Sequence, residues 1–417
     1  MKHVIIGNGP AGVIAAETLR KEDPAAGIVL IGDEPEPPYS RMAIPYLLEG
    51  QIDEAGTRLR KSAGHFDALK IRLVAGRATA LDTKQRTVTL DGGKSFGYDR
   101  LLIATGSHPN RPPISGADLP QVLPCWTLAD ARAIMRRAKK GARVLQMGAG
   151  FIGCIILESL KARGVELTLV EMGNRLVPRM MSETAGGLIK RWVETRGVRV
   201  LTSTRVEKME PAGKDAVDVT LSDGSHLTVD LVVNATGVAP NVDFLKSSGI
   251  RIDAGVLVDE TGQTSVAGVY AAGDVSQAAE LFTGAKIVNA IQPTAAEEAR
   301  LAALNMAGRR ATSGGQLVMN VLDTMGLIST SFGQWMGVEG GEGAEFVDES
   351  EYRYLQLQFH GDRLVGANCL GLTEHVGVLR GLIQTGSPLG RWKATLLRDP
   401  TRIVEAYLAR AQGAAAA

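Results

Sequence analysis

KHVIIGNGPAGVIAAETLR, residues 2–20, decides how the chain is read. An apolar run, Val4-Ile5-Ile6, feeds straight into Gly7-x-Gly9-x-x-Gly12, with Pro10 and Ala11 between the last two glycines. A helical pattern follows, with apolar positions at Val13, Ala16 and Leu19. Each glycine has its own job. The first permits a tight turn, the second lets backbone reach a pyrophosphate, and the third lets helix and strand pack closely. The helix start then offers N–H groups and a partial positive charge to phosphates. A second strand, residues 28–31, runs into Gly32-Asp33-Glu34. That puts an acid about 20 positions downstream, where a ribose hydroxyl is bound.

The device recurs at residues 143–171, RVLQMGAGFIGCIILESLKARGVELTLVE. Gly148, Gly150 and Gly153 hold the glycine positions, Phe151 and Ile152 lie between the last two, and a strand over 166–170 ends in Glu171. A carboxylate there accepts the hydroxyls of an unphosphorylated ribose and repels a 2′-phosphate, so NADH is favoured over NADPH. Asn174, Arg175 and Arg179 follow, and a nearby arginine would soften that preference. Two such devices imply two bound dinucleotides. The alternative is a duplication with one dead copy, but both copies keep the acid.

Composition fits this reading and excludes others. The chain has 417 residues, 45% of them hydrophobic and 22% charged, with a net charge of +1. That is room for two or three domains, with no bulk charge to draw nucleic acid or an anionic membrane. Forty-nine glycines exceed the usual share and point to tight turns and close backbone–ligand approaches. Cys125, Cys154 and Cys369 form no Cys-x-x-Cys pair or metal-ligand spacing, and the six histidines are scattered, so no metal site is expected. No apolar run approaches the length of a membrane helix. From the strand-like start no leader is expected, and a cytoplasmic location is expected. The low-complexity tail, residues 413–417, is expected to fray.

Three further strands end in telling residues. Residues 98–106, YDRLLIATG, end in Ala104-Thr105-Gly106; residues 231–237, LVVNATG, repeat that ending at Gly237; residues 269–275, VYAAGDV, carry Gly273-Asp274. In this order the set resembles the pyridine nucleotide–disulfide oxidoreductase superfamily. Within it, the chain looks most like rubredoxin and ferredoxin reductases and the FAD module of NADH-dependent nitrite reductases. Residues 33–49, 170–181 and 319–333 carry much of that likeness. The resemblance implies an α/β fold with two Rossmann-like domains, the second inserted in the first, and a C-terminal mixed α/β domain. The FAD domain would comprise residues 1–115 and 242–312, the NADH domain 116–241, and the C-terminal interface domain 316–417. The stretch 308–315 reads as a linker. The last domain is expected to open with strands over 354–359 and 364–370 and to finish with helices over 376–383 and 400–410.

The resemblance also implies roles. Gly7, Gly9, Pro10, Ala11 and Gly12 would cradle the FAD pyrophosphate, and Asp33 or Glu34 would hold its adenosine ribose. Arg41, Ala78, Ala104, Thr105, Gly106 and Gly273 would be further FAD contacts, and Asp274 would bind the ribityl chain. Gln292, opening a helix over 294–306, would aim a helix N-terminus at the flavin. Gly148, Gly150, Phe151, Ile152, Gly153, Glu171 and Gly237 would serve NADH. Hydride would pass from NADH to flavin N5, and the flavin would hand electrons to an acceptor.

Two departures from the family's pattern shape the mechanism. Relatives that reduce disulfides use a cysteine pair or a single cysteine beside the flavin; here that single-cysteine position is Met42, and a thioether forms no thiolate. A lysine–glutamate pair common in relatives is replaced by Tyr46 and Ile155, which are expected to shape an apolar nicotinamide pocket, although both residue types also suit plain core packing. Electrons therefore leave directly from the flavin. The leading acceptor is a small ferredoxin- or rubredoxin-like protein; oxygen is the alternative, and an NADH-sensing, redox-controlled binding protein is a third reading. Basic clusters at 136–140 and 309–310 would suit docking of a small acidic partner but read rather as a solvated helix face and a linker, and acidic residues 339–351 as a polar loop. The C-terminal domain mediates dimers in some relatives, while others are monomers.

Overall fold

Side-chain alternation in the opening strand places the first core. In the computed structural model, which describes residues 1–415, Ile5 packs on one face of a sheet and Val4 and Ile6 on the other, as successive strand residues must. The sheet has five strands in the order Val269–Ala271, Arg100–Ile103, Lys2–Ile6, Gly27–Gly32 and Ile71–Ala75. All are parallel, with Ile5 level with Leu102 on one side and Leu30 on the other. Helices Pro10–Glu22 and Gln292–Met306 cover the Ile5 face. They meet through small residues, among them Ala15, Ala16, Ala299, Ala302 and Ala303, all fully buried. An antiparallel ribbon (Ala78–Asp82, Thr87–Leu90, Ser95–Gly97) supplies part of the core on the opposite face.

The same plan is built a second time. Strands Arg199–Leu201, Glu166–Val170, Arg143–Met147, Leu231–Asn234 and Val122–Pro124 form another parallel sheet, again with the glycine-turn strand at the centre and the strand before the acid beside it. Its antiparallel ribbon is Val206–Ala212, Ala216–Leu221 and His226–Val229. The C-terminal part is an antiparallel sheet in the order Met319–Thr324, Leu327–Gly333, Arg363–Leu370, Arg353–His360 and Glu342–Asp348. Helices Val376–Thr385, Trp392–Arg398 and Ile403–Ala415 follow it.

The chain divides into two compact units. One gathers Met1–Leu47, Ile52–His108 and Val238–Gln316; the other gathers Leu48–Gln51, Pro109–Gly237 and Leu317–Ala417. Several elements differ from expectation. The acidic stretch expected as a loop contains strand Glu342–Asp348, whose alternation hides Ala344 while its acids face water at the sheet edge. Helix Trp392–Arg398 was not anticipated, and the helix carrying Gln292 begins at that residue rather than at 294. Of the tail expected to fray, the backbone is helical through Ala415, and Ala416 and Ala417 lie outside the described residues. Among the described residues no helix is long and apolar enough to cross a membrane, and no group of three His, Cys, Asp or Glu is placed to hold a metal ion.

Candidate functional site

The first glycine turn is packed at two positions and open at the third. Gly7 has φ +110°, and a Cβ there would sit 2.0 Å from the Ala104 carbonyl oxygen. A Cβ on Gly12 would sit 1.8 Å from the Gly7 oxygen. Around Gly9, by contrast, no atom lies within 4 Å of the corresponding point. Gly9 is also the N-cap of helix Pro10–Glu22, which has no side-chain cap. Pro10 has no N–H, so the N–H groups of Ala11 and Gly12 head the helix. An open backbone surface at an uncapped helix start fits a phosphate.

Around this turn the first unit assembles most of its expected residues at the carboxyl ends of the parallel strands, where ligands of such sheets bind. Asp33 and Glu34 part company there. Asp33 is exposed and pairs with Arg77 at 3.0 Å. Glu34 accepts hydrogen bonds from Arg41 at 2.7 Å and from the Tyr39 hydroxyl at 2.6 Å. Burial works against the Arg41 charge, and Tyr39 and Glu34 outweigh it. Ala78 opens its strand just before a register shift. Ala104 donates its N–H to the Ile6 carbonyl, Thr105 is locked to Asn241 by two hydrogen bonds of 2.9 and 2.8 Å, and Gly106 has φ +65°. Ser107 donates to the Asp274 carboxylate at 2.7 Å. A Cβ on Gly273 would lie 3.3 Å from Ala11, so the Asp274 turn abuts the glycine helix. Gln292 is exposed at its helix start and accepts from Ser40 at 2.9 Å.

The second unit repeats the pattern. A Cβ on Gly148 would lie 2.5 Å from the Ala235 oxygen and one on Gly153 2.2 Å from the Gly148 oxygen, while around Gly150 there is nothing within 4 Å. Helix Phe151–Ala162 starts without a side-chain cap, with Phe151 and Ile152 half-buried. The Glu171 carboxylate accepts from Ala149 N–H and Gly173 N–H, each at 2.7 Å, so it is held beside the turn. Gly237 has φ +108°, and its carbonyl accepts from Asn110 N–H. Arg175 donates to the carbonyls of Met181 and Pro178, so its guanidinium is engaged by its own loop; Arg179 is exposed.

Tyr46 is 52% exposed and Met42 46%, so neither is core. Ile155 is half-buried on the second glycine helix; it belongs to the second unit and Tyr46 to the first. The three cysteines are free and buried. Burial pushes the Cys125 and Cys369 thiols up to about 12, and that of Cys154 up as well.

Residues 1–296 match the family described as pyridine nucleotide-disulphide oxidoreductase. The chain belongs to that family. Its members are NAD(P)H-dependent flavin oxidoreductases, and FAD and NADH are the cofactors. The chain is 31% identical over 407 residues to the NADH-dependent phenylglyoxylate dehydrogenase subunit epsilon of Aromatoleum evansii, covering 96% of each. It is 33% identical over 317 residues to an NADH oxidase of Methanocaldococcus jannaschii, covering 74% of this chain and 70% of that one. Among solved structures, the NAD-dependent persulfide reductase from A. fulgidus superposes with a TM-score of 0.87 at 28% identity, covering 93% of this chain and 78% of that one.

Beyond the family's glycines and acids, the structure brings in residues that the sequence did not single out. Gln146, fully buried among Val144, Leu145 and Met147, donates to the carbonyls of Gly148 and Gly153 and clamps the second turn. A lone amide in an apolar run was its only signal. Glu298 accepts from Gly273 N–H and the Ser276 hydroxyl, each at 2.7 Å, and from the Gln316 amide. It therefore fixes the turn that carries Asp274. Glu298 borders a cavity of about 380 Å³ that Lys286, Thr294 and Glu297 also line. Burial pushes its carboxyl up to about 7. Nothing local in the sequence marks it.

Proposed function

We propose that this FAD-dependent NADH:acceptor oxidoreductase holds FAD at the first glycine turn and NADH at the second, and passes electrons directly to a small redox protein of the ferredoxin or rubredoxin class. The observation that carries the reading is the pair of open turns: Gly9 and Gly150 each face empty space at an uncapped helix start, while their flanking glycines are packed on backbone. Bound flavin supplies the redox chemistry, taking two electrons at once and releasing them singly or together. The chain's own residues bind and orient. Ala11 and Gly12 N–H groups meet the FAD phosphates; Glu34, braced by Arg41, takes the adenosine ribose; Asp274, aimed by Ser107, takes the ribityl hydroxyls. The start of helix Gln292–Met306 favours negative charge near the flavin ring. In the second unit Glu171 accepts the NADH ribose hydroxyls, and the engagement of Arg175 by its own loop leaves a 2′-phosphate without that partner.

Direct exit of electrons is supported by the thiols. All three are buried and held protonated, and only a thiolate relays. Free thiols also suit a cytoplasmic setting. One relative matched along nearly its whole length is by name a subunit, which supports a protein acceptor. Oxygen is the second reading, favoured by the likeness to an NADH oxidase. To decide, purified FAD-loaded protein is reduced with NADH under nitrogen and its visible flavin band followed. Fast turnover on added ferredoxin or rubredoxin with sluggish recovery in air is the expected result. Rapid recovery in air with peroxide or water as product, and no turnover on either protein, would select the oxidase.

A further inference from the structure

The residues that match the family end at 296, so the C-terminal sheet has no role assigned by that match. Within the second unit this sheet touches the glycine helix, the helix after the acid and the loop between the acid and that helix. The glycine helix Phe151–Ala162 packs against strand Met319–Thr324. On helix Glu183–Thr195, which follows the acid loop, the Trp192 indole N–H lies 3.1 Å from both the Thr324 and Met325 carbonyls. The loop between Glu171 and that helix is held by two residues of the sheet. Asn368, fully buried, accepts from Ser182 N–H at 2.9 Å and donates to the Met180 carbonyl at 3.0 Å. The Ser182 hydroxyl donates to the Tyr354 oxygen at 2.8 Å.

The loop in turn holds the glycine turn. Val177 N–H donates to the Ala149 carbonyl at 2.8 Å, and the Val177 carbonyl accepts from Met180 and Met181 N–H at 2.8 and 3.0 Å. Val177 is buried and has φ +44°, a conformation that a β-branched residue adopts only under constraint. Such a backbone persists where surrounding contacts over-determine it. Residues 177–182 thus form a short bar with the glycine turn at one end and Asn368 at the other.

We propose that the C-terminal sheet is a working part of the nicotinamide-nucleotide site, with Asn368, seconded by Tyr354, as the positioning residue that holds the 177–182 bar and through it the Gly148–Gly153 turn. This rests on the reading of that turn as the NADH cradle. Asn368 acts through the bar and not on the nucleotide itself. Its effect falls on how well the turn is shaped before NADH arrives, so it alters nucleotide affinity and leaves the flavin unit alone.

The test uses the FAD-loaded full chain with ferricyanide as acceptor, comparing Asn368→Ala, Tyr354→Phe and Glu171→Ala. Losing a buried hydrogen bond that shapes a site is worth about tenfold in affinity. Asn368→Ala is expected to raise KM for NADH about tenfold while kcat at saturating NADH and bound FAD per chain stay near those of the parent. Tyr354→Phe, which removes only one hydroxyl, moves KM the same way by less and decides the matter alone if Asn368→Ala yields no soluble protein. Unchanged KM in the variants that fold overturns the proposal. So does loss of FAD and kcat in step with KM, the mark of a merely structural role. Glu171→Ala separates the two ideas. If it leaves the NADH-over-NADPH preference intact, the cradle reading itself fails; if the preference shifts while Asn368→Ala and Tyr354→Phe keep the parental KM, only the positioning role fails.

Discussion

A glycine is informative here for what surrounds its missing Cβ. Gly12→Ala drives a methyl into the Gly7 carbonyl and is expected to lower the melting temperature and abolish FAD retention together. Gly9→Ala places its methyl in open space, so the fold is expected to survive while FAD dissociates more readily. Melting curves and flavin content of the two variants check this, and equal FAD retention by Gly9→Ala and the parent would count against the cradle. Glu298 gives a pH signature. Its carboxyl is raised from 4.5 to about 7 by burial, so the native state holds the proton more tightly than the unfolded chain. Stability from this group is full below about 4.5 and is lost as pH rises through about 7. Among the described residues Gln316 Oε1 has no hydrogen-bond partner. A turned Gln316 amide can accept from a protonated Glu298, or from the amide of Glu298→Gln. That variant is expected to flatten the decline in melting temperature between about pH 5 and about pH 8, and an unchanged slope would exclude Glu298 as its source.

Helices Pro10–Glu22 and Gln292–Met306 lie close because alanines face each other, and this contact sets where the Gln292 end points. Ala299→Leu overfills a fully buried position and is expected to cost about 1–3 kcal/mol and to weaken FAD retention, read by chemical denaturation and flavin release. Strand–turn–helix units were legible in sequence because three glycines, an apolar run and a terminal acid must stand in fixed order. Strand Glu166–Val170 was legible to the residue. Strand Glu342–Asp348 was not, since an edge strand with one wet face has the composition of a loop. The Asn368 and Glu298 contacts were hidden for another reason: their partners lie 186 residues away at Ser182 and 25 at Gly273, and neither residue type announces its partner.

At the scale of the molecule, the two units repeat one style of turn and the placing of four strands around it, differing in the outermost strand, but are proposed to hold different nucleotides. Ligands that bind a native unit stabilise it by mass action. Calorimetry of the full chain is expected to show FAD raising one transition and NAD⁺ the other, with Gly150→Ala erasing only the NAD⁺ shift. One transition moved alike by both ligands would mean that the units melt as one.

Neither unit is contiguous in the polypeptide. The first lacks strand Val269–Ala271 and helix Gln292–Met306 until well past the middle of the chain, and the second lacks the sheet that begins at Met319. During synthesis on the ribosome, helix Pro10–Glu22 therefore emerges long before the alanine-rich surface that covers it. The nascent chain must carry an open apolar seam through most of translation, and a stalled or shortened product would be prone to aggregate and to need chaperone protection.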